Sequence, residues 1–170
     1  MIKNFLKYSQ KGASLIELLL YFSLLGIILT VTVDILFRTS EFSLESTAKG
    51  AVQDEARFIA SRLTLDIHQA DSIATPANLG NSTPILELSV DSETHTYTLT
   101  GSNLEYEEVG TGTQTANLNS NRTRVNSLTF ERLGNSSGNH TIKITFEMEN
   151  TTGQKGGPEI ETFETVVGVR

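Results

Sequence analysis

The chain has 170 residues, no cysteine and a formal net charge of −7 at neutral pH. This length allows one folded domain beyond an N-terminal anchor, and the absence of cysteine excludes disulfide bonds. An acidic chain does not attract nucleic-acid phosphates, so the composition argues against a nucleic-acid partner.

The N-terminal part of the chain divides into a basic segment and a long apolar run. Residues 1–12 carry three lysines and no acidic residue, and their removal would take the net charge from −7 to −10. An apolar helix over residues 13–37 is long enough to cross a hydrocarbon core of ~30 Å. The lysines on its N-terminal side predict that residues 1–12 stay in the cytoplasm and that the rest of the chain is exported.

Glu17 lies at the start of this apolar run. A carboxylate in hydrocarbon costs roughly 2.5–3.5 kcal/mol on insertion scales, so such a residue indicates a function and a partner. Two other interpretations compete. A secretory signal would end in small residues at a cleavage site, whereas this run ends Thr-Val-Asp34-Ile-Leu-Phe37. A plain uncleaved anchor fits the length but leaves Glu17 without a role.

The junction Lys-Gly-Ala-Ser-Leu-Ile-Glu over residues 11–17 resembles the prepilin leader of type IV pilins and type II secretion pseudopilins. The resemblance implies that a prepilin peptidase cuts between Gly12 and Ala13 and methylates the new amino terminus. Ala13 stands where the family more often has Phe. The four residues that the resemblance assigns to processing are Lys11, Gly12, Ala13 and Ser14.

The resemblance also implies how the chain would assemble. Glu17 would be the fifth residue after cleavage and would pair with the terminal ammonium of a neighbouring subunit, since two opposite charges share a membrane position more cheaply together. Three residues would pack against neighbouring helices: Leu15, Ile16 and Gly26.

Beyond the apolar run, the helical pattern continues as an amphipathic segment over residues 38–72. Seven apolar residues recur at steps of three or four, which places them on one helix face. They are Leu44, Ala48, Val52, Ala56, Ile59, Leu63 and Ile67. Three more residues at steps of seven widen the predicted face: Ala51, Phe58 and Leu65.

Residues 73–170 read as an antiparallel sheet of about six strands, with a mobile loop at 110–122. A strand is predicted over Thr141–Asn150, where apolar and polar residues alternate without exception from Ile142 to Glu149, as in a strand with one dry face. Packing this sheet on the amphipathic helix gives an α+β fold. The Asp66-Ile-His-Gln-Ala70 pattern and the later Leu128-Thr-Phe strand resemble minor pseudopilins of the J or W type.

The sequence offers little catalytic or metal chemistry, and no catalytic residue, cofactor or metal is assigned. The three histidines, His68, His95 and His140, lack the spacing of metal ligands. A packed or edge position is favoured for His95. Several acidic residues could hold calcium, although a solvated acidic edge is favoured. These are Asp91, Glu93, Glu105, Glu107 and Glu108.

Together these patterns predict a minor pilin or pseudopilin, a structural subunit of a type IV pilus, type II secretion or related filament. Its partners would be the prepilin peptidase, other pilin subunits and, before assembly, the cytoplasmic membrane. The N terminus would lie inside, with the sheet domain outside. The alternative is a filament-tip module that binds a substrate, DNA or a surface.

Overall fold

The computed structural model describes residues 14–135, 140–152 and 157–169. Within these ranges lie one helix and nine strands. The helix is α1 (Leu15–Gln69). The strands are β1 (Ser72–Thr75), β2 (Ser82–Thr83), β3 (Leu86–Val90), β4 (Glu93–Thr100), β5 (Asn103–Val109), β6 (Thr113–Asn117), β7 (Thr123–Leu133), β8 (Thr141–Asn150) and β9 (Ile160–Gly168).

The chain forms two compact units, Met1–Phe42 and Ser43–Arg170. The described part of the first unit consists of Ser14 and the N-terminal half of α1, whose apolar side chains are exposed. The helix is long and apolar enough to cross a membrane, by length and composition. The second unit holds the remainder of α1 and all nine strands.

The strands form two antiparallel sheets rather than the single six-stranded sheet that the sequence predicts. The first sheet has the order β1-β3-β4-β5-β6, and the second has the order β2-β7-β8-β9. The α+β class is confirmed. Strand β8 has the predicted bounds. The helix α1 ends at Gln69 rather than at the predicted Ser72, because Ser72 is the first residue of β1, which pairs with β3.

One buried core joins the helix to both sheets. The helix contributes Val52, Ala56, Ile59, Leu63 and Ile67, all at most 1% exposed. Each lies on the predicted face, as does the buried Ala48. The prediction is wrong for Leu44, Phe58 and Leu65, which are 52%, 56% and 49% exposed, whereas Ala51 is half-buried. The sheets cover a narrower arc of the helix than its apolar residues occupy.

The predicted mobile loop at residues 110–122 is partly ordered. It contains β6, which pairs with β5, and its Asn119 is buried. The Asn119 side chain accepts a hydrogen bond from the Leu104 amide (2.8 Å) and donates one to the Thr123 carbonyl (3.1 Å). The side-chain amide thus replaces backbone pairing where the chain passes from one sheet to the other.

Candidate functional site

The N-terminal segment begins its helix at Ser14. The Ser14 carbonyl accepts hydrogen bonds from the amides of Glu17 (2.9 Å) and Leu18 (3.1 Å), so Ser14 occupies the N-cap position. Glu17 therefore lies in the first helical turn, where the helix dipole favours a negative charge. The other residues assigned to processing, Lys11, Gly12 and Ala13, lie outside the described residues.

The Glu17 carboxylate is exposed and has one hydrogen bond, which the Tyr21 hydroxyl donates to Oε1 (3.2 Å). This contact lies one turn along the same helix, so it uses one oxygen and leaves the other free for a partner. The three residues that the resemblance assigns to helix packing are also exposed. Leu15 and Ile16 are 79% and 73% exposed, and a Cβ at Gly26 would meet nothing within 4 Å.

The remaining polar side chains of the apolar run are satisfied within the helix. The hydroxyls of Thr30 and Thr32 each donate to the carbonyl four residues earlier, at 2.8 Å. Asp34 pairs with Arg38 at 2.9 Å. Such internal hydrogen bonds let hydroxyl groups enter lipid at low cost. Glu17 differs, because its negative charge has no cation within the described first unit that pairs with it.

Comparisons with protein-family models, with curated proteins and with solved structures found no match. The geometry of the chain is therefore the basis for any functional assignment.

A second polar constellation lies in the sheet-bearing unit, around Asp66. This carboxylate is 2% exposed. Its Oδ2 accepts hydrogen bonds from the Tyr97 hydroxyl (2.5 Å) and from His95 Nδ1 (2.9 Å), while Oδ1 lies 3.4 Å from Arg62 Nε. The Arg62 guanidinium also stacks over the Tyr106 ring, 4.8 Å from its centre. Asp66 therefore links the end of α1 to strands β4 and β5.

Burial and hydrogen bonding alter the pKa values of this constellation. Burial, and then the hydrogen bond to Asp66, raise the pKa of Tyr97 above its ordinary value. Burial, and then the bond to Glu108, likewise raise the pKa of Tyr106. The hydrogen bond from Tyr106 lowers the pKa of Glu108. Both phenols therefore remain protonated donors at neutral pH.

The sequence predictions for the histidines and acidic residues have mixed outcomes. The packed position favoured for His95 is confirmed, since His95 is 7% exposed. Of the five acidic residues suggested for calcium, only two converge in the part of the chain that the structure describes. Glu93 and Glu108 meet at His95, whereas Glu105 and Glu107 occupy the alternate positions of β5. His68 and His140 line a shallow cavity at the end of α1.

Glu55, in the middle of the amphipathic helix, forms hydrogen bonds with residues at the start of β7 and just before it. Its carboxylate accepts hydrogen bonds from the Ser120 amide (2.9 Å), from the Ser120 hydroxyl (2.5 Å) and from the Thr123 hydroxyl. Burial acts to raise the Glu55 pKa, but these hydrogen bonds outweigh it and lower the pKa below its ordinary 4.5. The charged form is thus stabilised in the folded protein.

Replacing Glu55 with glutamine is expected to lower the free energy of unfolding by about 1–2 kcal/mol at neutral pH. Since the folded pKa is depressed, this stability is present above the unfolded pKa and is lost as pH falls through the folded pKa. Urea unfolding from pH 7 to pH 3 should show the difference shrinking below about pH 4.5. A Glu45→Gln control on the exposed helix face should show no such trend, and a pH-independent Glu55→Gln deficit would contradict the assignment.

Proposed function

We propose that this chain is a minor pilin or pseudopilin, a structural subunit of a type IV pilus, type II secretion or related filament. The observation that carries the proposal is the exposed Glu17 carboxylate in the first turn of an apolar helix that is otherwise satisfied internally. The apolar run follows directly after residues 1–12, which are basic and end in Gly12. The amphipathic part of the helix and both sheets share one buried core, so the exported part would be a stably folded domain.

In the proposed pathway, the helix first inserts in the cytoplasmic membrane with residues 1–12 inside. A prepilin peptidase then removes residues 1–12 and leaves Ala13 as the new N terminus, four residues before Glu17. A positive amine on one subunit and the Glu17 carboxylate on its neighbour would neutralise each other within lipid. The exposed apolar side chains from Leu15 to Phe37 would exchange lipid for the helices of other subunits.

The proposal is tested by the N terminus of protein made together with a prepilin peptidase. Mass spectrometry should show that residues 1–12 are absent and that the chain starts at Ala13, with any methylation visible as an added methyl group. Gly12→Val should remain full length, because its branched side chain would obstruct cleavage, whereas Gln10→Ala should be processed normally. Wild-type protein that still begins at Met1 beside an active peptidase would refute the proposal.

A further inference from the structure

Two carboxylates and a histidine converge on the helix-facing side of the first sheet. One ligand atom from each of Glu93, His95 and Glu108 lies within 4.8 Å of the other two. His95 and Glu108 are direct cross-strand partners on β4 and β5, and Glu93 is two residues before His95 on the same strand face. All three residues therefore lie on two paired strands rather than on a flexible loop.

The orientation of the His95 ring is fixed by Asp66, a carboxylate that is not one of the three converging groups. Its Nδ1 lies 2.9 Å from Asp66 Oδ2, and an ionised carboxylate can only accept, so Nδ1 carries the proton. The ring of a neutral His95 then has its lone pair at Nε2. A carboxylate that fixes the tautomer of a histidine in this way is the usual support of metal-binding imidazoles. Asp66 is itself 2% exposed and paired with Arg62.

The position of Glu93 depends on the absence of a side chain at Gly110. A Cβ built on Gly110 would overlap Glu93 Oε1 and would lie 2.6 Å from Glu93 Cδ. Glycine at this position therefore leaves room for the Glu93 carboxylate to lie over the backbone that follows β5. Any other residue would force the carboxylate away.

The two glutamates lie close together. The hydrogen bond from Tyr106, together with the smaller effect of the nearby Arg62 charge, lowers the pKa of Glu108. Among residues 14–135, 140–152 and 157–169, no lysine or arginine lies within 4.0 Å of either carboxylate. The Tyr106 hydroxyl donates to Glu108 Oε2 (2.6 Å), and the Glu93 side chain also lies within hydrogen-bonding reach of Glu108. Two carboxylates and one neutral imidazole together balance the charge of a divalent cation.

We propose that Glu93, His95 and Glu108 form a binding site for a divalent transition-metal ion, with Zn²⁺ as the preferred ion. Imidazole nitrogen and carboxylate oxygen are ligands that Zn²⁺ accepts. Three protein ligands leave a fourth position for water or for a group from a partner. Bound metal would join β4 to β5 beneath the end of α1. This site does not depend on the proposed filament function.

The proposal is tested with the full chain in detergent micelles, stripped of metal by a chelator and titrated with Zn²⁺ alone in a calorimeter. One Zn²⁺ per chain should bind saturably. Glu93→Gln and Glu108→Gln should each weaken binding by about tenfold or more, the loss typical of a disturbed metal site. Cobalt substitution offers a second readout, because the visible spectrum of Co²⁺ would change in the same variants.

Two further variants separate metal binding from folding. Gly110→Ala leaves every proposed ligand in the chain but displaces the Glu93 carboxylate, so it should weaken Zn²⁺ binding while circular dichroism stays unchanged. Glu107→Gln makes the same chemical change on the alternate face of β5 and should bind within about twofold of wild type. No saturable binding, or binding that survives both Glu93→Gln and Glu108→Gln, would overturn the proposal.

Discussion

Replacement of Asp66 with alanine is expected to lower the free energy of unfolding of the sheet-bearing unit by about 3–5 kcal/mol. The variant would leave the Arg62 guanidinium without its carboxylate and would remove the acceptor of both His95 Nδ1 and the Tyr97 hydroxyl. Tyr97 is fully buried, so water cannot replace that acceptor without opening the core.

Urea unfolding of the full chain in detergent, followed by circular dichroism and tyrosine fluorescence, measures this loss. Asp66→Asn keeps an acceptor oxygen but loses the charge, so its loss should be smaller than that of alanine. Asp54→Ala is the matched control, because Asp54 is exposed on the same helix and its removal should change stability by no more than about 0.5 kcal/mol. A loss below about 1 kcal/mol for Asp66→Ala would mean that the pairing contributes little.

The second large effect is expected at Glu17 and rests on the proposed function. Glu17→Ala should reduce incorporation into filaments on the order of 100-fold, the factor that corresponds to leaving one charge unpaired in lipid. Membrane insertion and cleavage after Gly12 should persist, because alanine is easier to insert than a carboxylate. The fraction of mature protein in sheared filaments, relative to membranes, measures the outcome when the other subunits are present.

A matched control comes from the same helix. Glu45→Ala removes an exposed carboxylate outside the apolar run and should leave incorporation unchanged. Glu17→Asp, which keeps the charge on a shorter side chain, should recover part of the loss. Normal incorporation of Glu17→Ala into filaments would rule out charge pairing as the assembly mechanism, even if the leader is cleaved as expected.

The parts of the fold that the sequence predicted are those with one dry and one wet face. In β8, Ile142, Ile144, Phe146 and Met148 are all fully buried and alternate with polar residues, so both its existence and its bounds could be predicted. The same holds for the helix face from Ala48 to Ile67. In both cases burial of alternate or every third or fourth residue left a periodic trace.

The strands and packing that the sequence missed leave no such trace. All five residues of β6 (Thr113–Asn117) are exposed at the edge of the first sheet, so nothing in their polarity distinguishes them from a loop. Alternation also indicates which face of a sheet a residue occupies, but not which strand lies beside it. The sequence therefore could not predict that the strands divide into two sheets.

The polar constellations depend on contacts between residues far apart in the chain. Asp66 appeared in the sequence only within a helix-end pattern, and its partners His95 and Tyr97 lie 29 and 31 residues further on. The available signal was a carboxylate at a core-facing position, next to Ile67 and four residues after Arg62. The roles of Glu17 and Gly12 were predicted from resemblance, and they stay predictions.

The shared core described above has a thermodynamic consequence. Val52, Ile59 and Leu63 are part of a single buried cluster with side chains from both sheets. Loss of this part of α1 would expose the dry faces of both sheets to water at once, and neither sheet could retain its structure alone. The Ser43–Arg170 unit should therefore melt as a single cooperative body, although its strands belong to two separate ladders.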